Sequence, residues 1–256
     1  MNDKHVDYDA LAPTYNQRFE DDKDRPQTAR VLAELRAITE SGHGLDPSRG
    51  MLAQARARDV RLRLIRGRGE VLPFPDAAFD LVYCVNAIHH MTGQRTFIHE
   101  ARRVLRDGGA LAVIGRDPHR GRETWYVYDY FAGTYETDRA RFPSGETVLD
   151  WMRVAGFQQV ERRPVERIIS HNTSETVLDD PFLQKHSSSQ LALLSDAAYA
   201  AGVQRIKAAI AEAEAAGKTL IFPTELVMEM AWGQIKRNPC EGSDKPPQTH
   251  SQPSQG

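Results

Sequence analysis

Two continuous apolar runs constrain the fold of this chain most strongly. The segments "AAFDLVYCV" (77–85) and "ALAVIG" (110–115) are almost free of polar residues, as is typical of parallel strands buried on both faces of a sheet. The segment between them, "RTFIHEARRVLRDGG" (95–109), has helical periodicity and predicts a crossover helix that ends on its glycine. Strand, helix and strand in this order predict an α/β fold with an open, mostly parallel sheet.

The preceding residues repeat this alternation. "GHGLD" (42–46) predicts a short strand that ends at Asp46, and Ser48 is a good N-cap for a helix through Arg58. "VRLRLI" (60–65) alternates as a strand does. Further toward the N-terminus, two helices are predicted, one around "DYDALAPTYNQRF" and one over residues 26–38.

The pattern changes after Asp117. An aromatic-rich segment, "TWYVYDYFAGTY", comes first, and the other predicted elements are helices near "ETVLDWMRVAG" and over 195–217 and strands near "FQQVERR", near "VERIIS" and within "TLIFPTELVMEMAWGQI". This block predicts an α-rich cap and C-terminal antiparallel strands. The last residues are rich in Pro, Ser, Gln and Gly, which predicts a disordered tail.

Composition limits the classes of partner. The 256 residues have a formal net charge of −2, so no net positive field favours nucleic acid as a partner. Only two cysteines occur, Cys84 and Cys240, which favours a reducing compartment. The sequence has no evident signal peptide and no apolar run of membrane-spanning length, so we expect a cytoplasmic protein without a membrane partner. The nine histidines form no metal-ligand pattern, and we predict no metal.

Asp46 is the first candidate binding residue. At the carboxyl end of a strand in a doubly wound sheet, an acidic side chain accepts hydrogen bonds from ribose hydroxyls. The alternative is that Asp46, which precedes a proline, belongs to an ordinary turn.

The order of three segments carries a family resemblance. The sequence "GLDPSRGMLAQARAR" is followed by "RGRGEVLPFPDAAFDLVYCVNAIHHM" and then by "FIHEARRVLRDGGALAVI". In that order, over about residues 42–114, they resemble the class I S-adenosylmethionine-dependent methyltransferases, in the small-molecule branch that includes the ubiquinone and menaquinone biosynthesis enzymes. The resemblance implies a Rossmann-like, doubly wound sheet, S-adenosylmethionine as the cofactor and a small-molecule substrate.

The resemblance also implies roles for single residues. Asp46 would bind the ribose, the turn from Pro47 to Met51 would pack beside the adenosine, Gly69 and Glu70 would border the adenine, Asn86 and Ala87 would lie near the methionine moiety, and Tyr8 and Tyr15 would belong to a lid helix. Arg68 departs from the family, which usually has an acidic or small polar residue there. Because a guanidinium only donates hydrogen bonds, Arg68 would stack on the adenine instead of accepting from its amino group.

Two further groups have open interpretations. His89 and His90 follow the predicted buried strand and are candidate general bases; the alternative is that one packs and the other caps. The second group is an aromatic cluster, which either lines a substrate pocket or forms the core of the cap. Its members are Trp125, Tyr126, Tyr128, Tyr130 and Phe131.

One expected element is missing from the sequence. The family's first strand and glycine-rich GxGxG turn do not occur before Asp46. Only "TESGHG" lies between the predicted helix over 26–38 and "LDPS", whereas a strand with a crossover helix needs about 30 residues. Four alternatives remain open: an active enzyme with a compensating element, a non-catalytic scaffold or regulatory partner, a chain with an internal deletion, and a nicotinamide-dependent oxidoreductase, which would also need a glycine-rich turn.

These patterns divide the chain into four predicted segments. Residues 1–40 form N-terminal lid helices, 41–116 a truncated S-adenosylmethionine-binding core, 117–236 a substrate cap with the C-terminal part of the fold, and 237–256 the disordered tail.

Overall fold

The computed structural model describes residues 6–15, 42–58 and 62–237, with the backbone alone for 13–15. It confirms the α/β fold class. The strands are β1 (His43–Asp46), β2 (Arg63–Arg66), β3 (Phe79–Val85), β4 (Leu105–Gly115), β5 (Thr124–Trp125), β6 (Gln158–Thr173) and β7 (Ile221–Gln234). The helices are α1 (Tyr8–Tyr15), α2 (Arg49–Arg58), α3 (Gln94–Val104), α4 (Tyr126–Tyr130), α5 (Thr134–Arg141), α6 (Gly145–Val154), α7 (Ser189–Ala192) and α8 (Asp196–Ala215), with single 3₁₀ turns at Ile88–His90, Val177–Asp179 and Pro181–Leu183.

The strands form two sheets. β1 and β2 make a parallel pair in which Asp46 lies opposite Arg66. In the larger sheet β3 and β4 are parallel, and β7 runs antiparallel to β4. The short strand β5 pairs with β7 beyond β4, on the same edge of β7, and β6 pairs with the other edge of β7. The antiparallel C-terminal strands are as predicted, but the larger sheet is mixed and not mostly parallel, because β7 runs antiparallel to each of its described partners.

The helix before β4 ends earlier than its sequence pattern predicts. We expected a helix through Gly109, but α3 ends at Val104. Leu105 already belongs to β4, where it is fully buried and pairs with Phe79. The glycine pair lies instead within an irregular stretch of the strand, where Gly108 takes a φ of 79° that few other residues adopt.

Three cores hold the layers together. The first core packs α3 and α6 against one face of the larger sheet, with Ile98, Leu111, Met152 and Ala231 among its buried members. The second core is internal to the cap, where α8 packs on α4 and β7. The third core lies on the opposite face of the larger sheet, where Ile114 of β4 and Met230 of β7 are among its buried members, whereas Tyr83 on β3 is 40% exposed.

The two sheets are not joined by backbone pairing among the described residues. β1 and β3 each have one edge that pairs with no described strand, as a missing first unit predicts. Side chains make the contact instead, because the His43 ring lies edge-on to Phe74 and Phe79 at 5.5 Å between centroids.

Some predictions fall outside the described residues. The helix over 26–38 and the tail beyond 237 cannot be compared with the structure. Within the described ranges no helix is long and apolar enough to span the bilayer. The division into four segments remains a prediction.

Gly202 in α8 provides a test of the cap packing. A Cβ at this position would lie 2.2 Å from Cδ1 of the fully buried Phe131. Gly202→Ala should therefore lower the free energy of unfolding by about 1–3 kcal/mol, measured by urea denaturation, although helix propensity alone predicts a gain of about 1 kcal/mol. The control is Ala201→Gly at the neighbouring exposed position, where propensity alone should act. A more stable Gly202→Ala variant would contradict the close packing.

Candidate functional site

The loops that follow the four parallel strands meet at one edge of the structure. The loop after β2 contacts the segment after β3, since Glu70 Oε1 accepts hydrogen bonds from the backbone N–H of Thr92 at 3.0 Å and of Gly93 at 3.3 Å. Helix α1 contacts both the start of α2 and the segment after β3. Ligands of doubly wound sheets bind at such an edge.

Asp46 ends β1 and is half-buried. Its Oδ1 accepts the backbone N–H of Ser48 at 2.7 Å, and its other carboxylate oxygen accepts no hydrogen bond from the described residues. Burial raises the pKa of the Asp46 carboxyl, the Ser48 bond opposes this effect, and the nearby charge of Asp9 adds to it. The predicted turn is therefore present, and it leaves one acceptor oxygen at the strand end.

Helix α1 is fixed to this turn by Asp9. Its Oδ1 accepts the Ser48 hydroxyl at 2.7 Å and the Gly50 N–H at 2.8 Å, and these bonds lower the pKa of the Asp9 carboxyl. Ser48 also caps α2, because its Oγ accepts the N–H of Met51 at 3.0 Å. The close approach of the helices requires glycine, since a Cβ on Gly50 would lie 2.5 Å from the Cβ of Ala12.

The predicted adenine loop is held by its own contacts. Arg68 is exposed, donates to Thr92 Oγ1 at 3.1 Å and lies 3.5 Å from Glu70. Burial raises the pKa of Glu70, but its backbone hydrogen bonds outweigh this and the net pKa is lowered. Gly69 packs against Met91, whose Cε would lie 2.8 Å from an added Cβ. Glu70 thus holds the loop to the start of α3.

The other predicted cofactor residues are distributed around the same edge. Pro47 is exposed, and its carbonyl accepts Arg66 Nε at 2.9 Å. Asn86, exposed at the end of β3, has a left-handed φ of 49°, which asparagine tolerates better than most residues. Ala87 packs on the first core. Tyr15 ends α1, and its predicted role lies outside the described side chains.

The two candidate histidines differ in environment. His89 is buried and stacks on Phe142 with 3.7 Å between centroids. Burial, together with His90, Arg141 and Arg116, holds its pKa well below the usual range, so His89 is neutral near neutral pH. His90 is half-buried, and its Nε2 shares a 2.6 Å hydrogen bond with the hydroxyl of Tyr8.

A buried ionic network that the sequence did not predict follows β4. Arg116 donates to Asp138 Oδ2 at 2.7 Å, to the Tyr128 hydroxyl at 3.1 Å and to Glu123 Oε2 at 3.2 Å. Its guanidinium carbon lies 5.0 Å from the Trp125 ring centroid. Asp138 is fully buried and also accepts bonds from Tyr128, Arg141 and Gln190. Burial lowers the pKa of Arg116, but the neighbouring Tyr128, Asp138 and Glu123 outweigh it and the net pKa is raised.

A small cavity lies beside this network at the carboxyl ends of β3 and β4. Its volume is about 40 Å³, and the residues lining it include Asn86, His89, Asp117, Arg162 and Glu229. Asp117 Oδ2 accepts the Gly145 N–H at 2.8 Å and Arg162 Nη1 at 3.1 Å. A volume of this size accommodates waters or the tip of a ligand.

The aromatic cluster belongs mainly to the second core, inside the cap. All of its members except the half-buried Tyr130 are buried within the second core. Tyr128 additionally joins the Arg116 network, so one aromatic side chain connects the cap core to the sheet edge. The density of Arg, Asp and Glu just after β4 was the only sequence signal for the network, and it does not specify which charges pair.

Replacing Asp138 tests the network. Asp138→Asn removes the carboxylate facing Arg116, so we expect a loss of about 3–5 kcal/mol in the free energy of unfolding, measured by urea denaturation. Asp150→Asn is the control, because Asp150 pairs with Arg153 on the surface and such pairs contribute about 0–1 kcal/mol. Equal effects of the two variants would refute a special role for Asp138.

His89 should make stability depend on pH. The pKa of His89 is about 6.5 in the unfolded chain and lower in the folded chain. At a pH between the two pKa values the unfolded chain binds a proton that the folded chain does not, so acidification favours unfolding by up to about 1.4 kcal/mol per pH unit. His89→Phe should flatten the slope of unfolding free energy against pH below about pH 6.5. The exposed His99 provides the control, and His99→Gln should leave the slope in place. An unchanged slope in His89→Phe would contradict the assignment.

Part of this chain is similar in sequence to known methyltransferases. Residues 27–113 match the family model described as "Methyltransferase domain". A chloroplastic 2-methyl-6-phytyl-1,4-hydroquinone methyltransferase 2 of Oryza sativa is 30% identical over 47% of this chain and 33% of its own length. A ubiquinone/menaquinone biosynthesis C-methyltransferase of Dinoroseobacter shibae is 33% identical over 43% of this chain and 52% of its own length.

The fold is also found among solved structures. A methyltransferase from an antibiotic biosynthesis pathway of Anabaena variabilis has a TM-score of 0.56 and 18% identity, with 80% of this chain and 87% of that chain covered. The chain spans about a third to a half of the length of the two curated relatives above. Residues 27–113 are therefore similar to methyltransferase domains, and the chain shares the fold of a solved methyltransferase-like structure.

Proposed function

We propose that this protein binds S-adenosylmethionine at the edge where the loops after the parallel strands meet, and that it transfers the methyl group to a small organic molecule. The observation that carries the proposal is Asp46, a half-buried carboxylate at the carboxyl end of a parallel strand, whose second oxygen accepts no hydrogen bond from the described residues. A ribose offers two neighbouring hydroxyl donors to such an acceptor.

The described residues fit the nucleoside half of the cofactor better than the methionine half. Asp46 would hold the ribose, and the turn from Pro47 to Met51 would flank the adenosine. No glycine-rich turn precedes Asp46 in the sequence, so Asn86 and Ala87 are the groups proposed to meet the methionine end. We therefore expect binding that depends strongly on Asp46.

The residues around the site would position the reactants. S-Adenosylmethionine, when bound, supplies an electrophilic methyl group on a sulfonium. Helix α1, held by Asp9, would cover the site and exclude water, with Tyr8 placed over it by its bond to His90. Methyl transfer depends chiefly on holding donor and acceptor in line, so the chain needs no strong base.

Of the two candidate bases, His90 is the better one. His89 is buried against Phe142 with a strongly lowered pKa, so it accepts a proton poorly. His90 lies half-buried beside Tyr8. We propose that His90 receives a proton where the acceptor must lose one, and that His89 packs.

The names of the relatives support an aromatic acceptor. Two of them are named for a hydroquinone and for ubiquinone and menaquinone biosynthesis. The proposed substrate class is therefore a small ring compound of the quinol type.

Calorimetric titration with S-adenosylhomocysteine tests the cofactor site. Asp46→Asn keeps an acceptor oxygen for Ser48 but loses the charge that binds ribose, so its Kd should rise about 10–100-fold, as expected for a lost hydrogen bond to a charged group. Asp80→Asn is the control, because Asp80 lies exposed on β3 and pairs with Arg106. The proposal fails if the unmodified chain gives no heat at about 1 mM ligand, which corresponds to a binding free energy near −4 kcal/mol.

One observation favours a second candidate, a non-catalytic scaffold or regulatory partner. The free edges of β1 and β3 lack backbone pairing among the described strands, where the family has its central strand. In this case the chain would bind an active homologue and show no affinity for S-adenosylhomocysteine. Size-exclusion chromatography of the chain mixed with a full-length homologue separates the two candidates, since the scaffold requires a shared peak.

A further inference from the structure

Glu229 presents an unusual carboxylate to the cavity beside β4. It lies on β7 opposite Gly115 and is only 7% exposed. Its Oε1 accepts a hydrogen bond from Arg120, but its buried Oε2 has no hydrogen-bond partner among the described residues. A second cation, Arg162, has its Nη1 3.5 Å from Oε2 and donates its hydrogen bond to Asp117 instead.

A buried carboxylate oxygen without a hydrogen bond is costly. Leaving such a group unsatisfied costs about 1–3 kcal/mol and more when it is charged, and most buried polar atoms in folded proteins therefore have a partner. The ion pair with Arg162 offsets part of the charge without supplying a donor at bonding distance. Oε2 is therefore an acceptor directed into a site that can hold a ligand group.

We propose that Glu229 is a ligand-binding residue, whose Oε2 accepts a hydrogen bond from a neutral hydroxyl or amine group on an apolar, ring-containing ligand. That this ligand is the methyl acceptor rests on the proposed function; the binding contact itself does not. Residues that line the cavity beside Glu229 are largely apolar, among them Ile88, Val113, Phe142 and Val148. Asn86, His89, Asp117 and Arg162 also line it, and an apolar wall with a few placed polar groups is the usual form of a small-molecule site.

The charges around the cavity favour a neutral donor over a cation. The carboxylates of Asp117 and Glu229 are matched by the guanidiniums of Arg162 and Arg120. Arg116, the remaining charge, pairs with Asp138 and Glu123 inside the network. Because no negative charge is left uncompensated, an ammonium group entering the cavity would pay its desolvation without a counter-ion of its own.

The size of the cavity fits the polar tip of a ligand. Its volume of about 40 Å³ exceeds what one water needs, which suits a hydroxyl or amine group. Asn86 lines the same cavity and is exposed, so in the proposed complex the rest of the ligand would extend past Asn86 at the carboxyl edge of β3.

Three ring compounds of similar shape test the proposal. Dissociation constants of phenol, toluene and benzylammonium would be measured by ligand-observed NMR on the full chain, with and without saturating S-adenosylhomocysteine. Phenol supplies a neutral donor, toluene replaces it by a methyl group, and benzylammonium carries a charge. We expect phenol to bind more tightly than the other two.

Substitution of Glu229 identifies the contact. Glu229→Leu should lower the ratio of the toluene to the phenol dissociation constant at least about tenfold, because a donor no longer meets an acceptor. Glu225→Leu is the matched control, since Glu225 lies on the same strand and pairs with Arg167 away from the cavity. If Glu229→Leu does not fold, Glu229→Gln keeps the side-chain size and should lower the ratio about threefold by replacing a charged acceptor.

The outcomes separate this inference from the proposed function. A ratio that is unchanged in the folded Glu229 variant, as when a water satisfies Oε2, overturns the inference, and so does tighter binding of benzylammonium than of phenol. Glu229-dependent discrimination without any binding of S-adenosylhomocysteine supports the ligand site and refutes the proposed function. Binding of S-adenosylhomocysteine without that discrimination refutes the inference alone.

Discussion

The ion pair between Arg116 and Asp138 is the interaction on which the arrangement of sheet and cap depends. Arg116 leaves the end of β4 with a side chain that is 8% exposed, and Asp138 on α5 is fully buried. A buried charge requires a counter-charge and hydrogen bonds in fixed positions, so the cap must fold where Asp138 reaches the strand end. Tyr128 and Gln190 satisfy the remaining acceptor sites of that carboxylate. The position of the cap over the sheet edge is therefore an electrostatic requirement as much as a matter of apolar packing.

The same edge joins two sheets that share no described backbone pairing. Asp9 holds α1 to the start of α2, Tyr8 bonds to His90, and Glu70 fixes the loop after β2 to Thr92. In a continuous sheet the central strand would set these distances through its ladder of hydrogen bonds. Here side chains and loops set them. The nucleoside half of the proposed site lies on one sheet and the acceptor half on the other, so their alignment depends on these few contacts.

Local patterns predicted much of the fold, whereas long-range contacts decided the rest. The apolar run of β3, the end of β1 at Asp46 and the N-cap at Ser48 follow from neighbouring residues and agree with the structure. The predicted end of α3 at Gly109 was wrong, because Leu105 pairs with Phe79 in the sheet, and helical periodicity does not encode that contact. Of the candidate site, the loop positions could be predicted, but the pairing of Arg116 with Asp138 joins residues 22 positions apart on elements whose packing must be known first.

The position of β7 in the sheet has a consequence for the synthesis of the protein. Ala110 on β4 pairs with Gln234, about 120 residues later in the chain. During translation β4 and β6 must therefore wait with open edges until almost the whole described chain has emerged, and such edges are where nascent chains associate wrongly. Pairing across so long a separation also slows folding, because the loop must close before its contacts form. The cap between β4 and β7 shortens this loop once it folds, so it would act as an internal folding aid as well as a cover for the site.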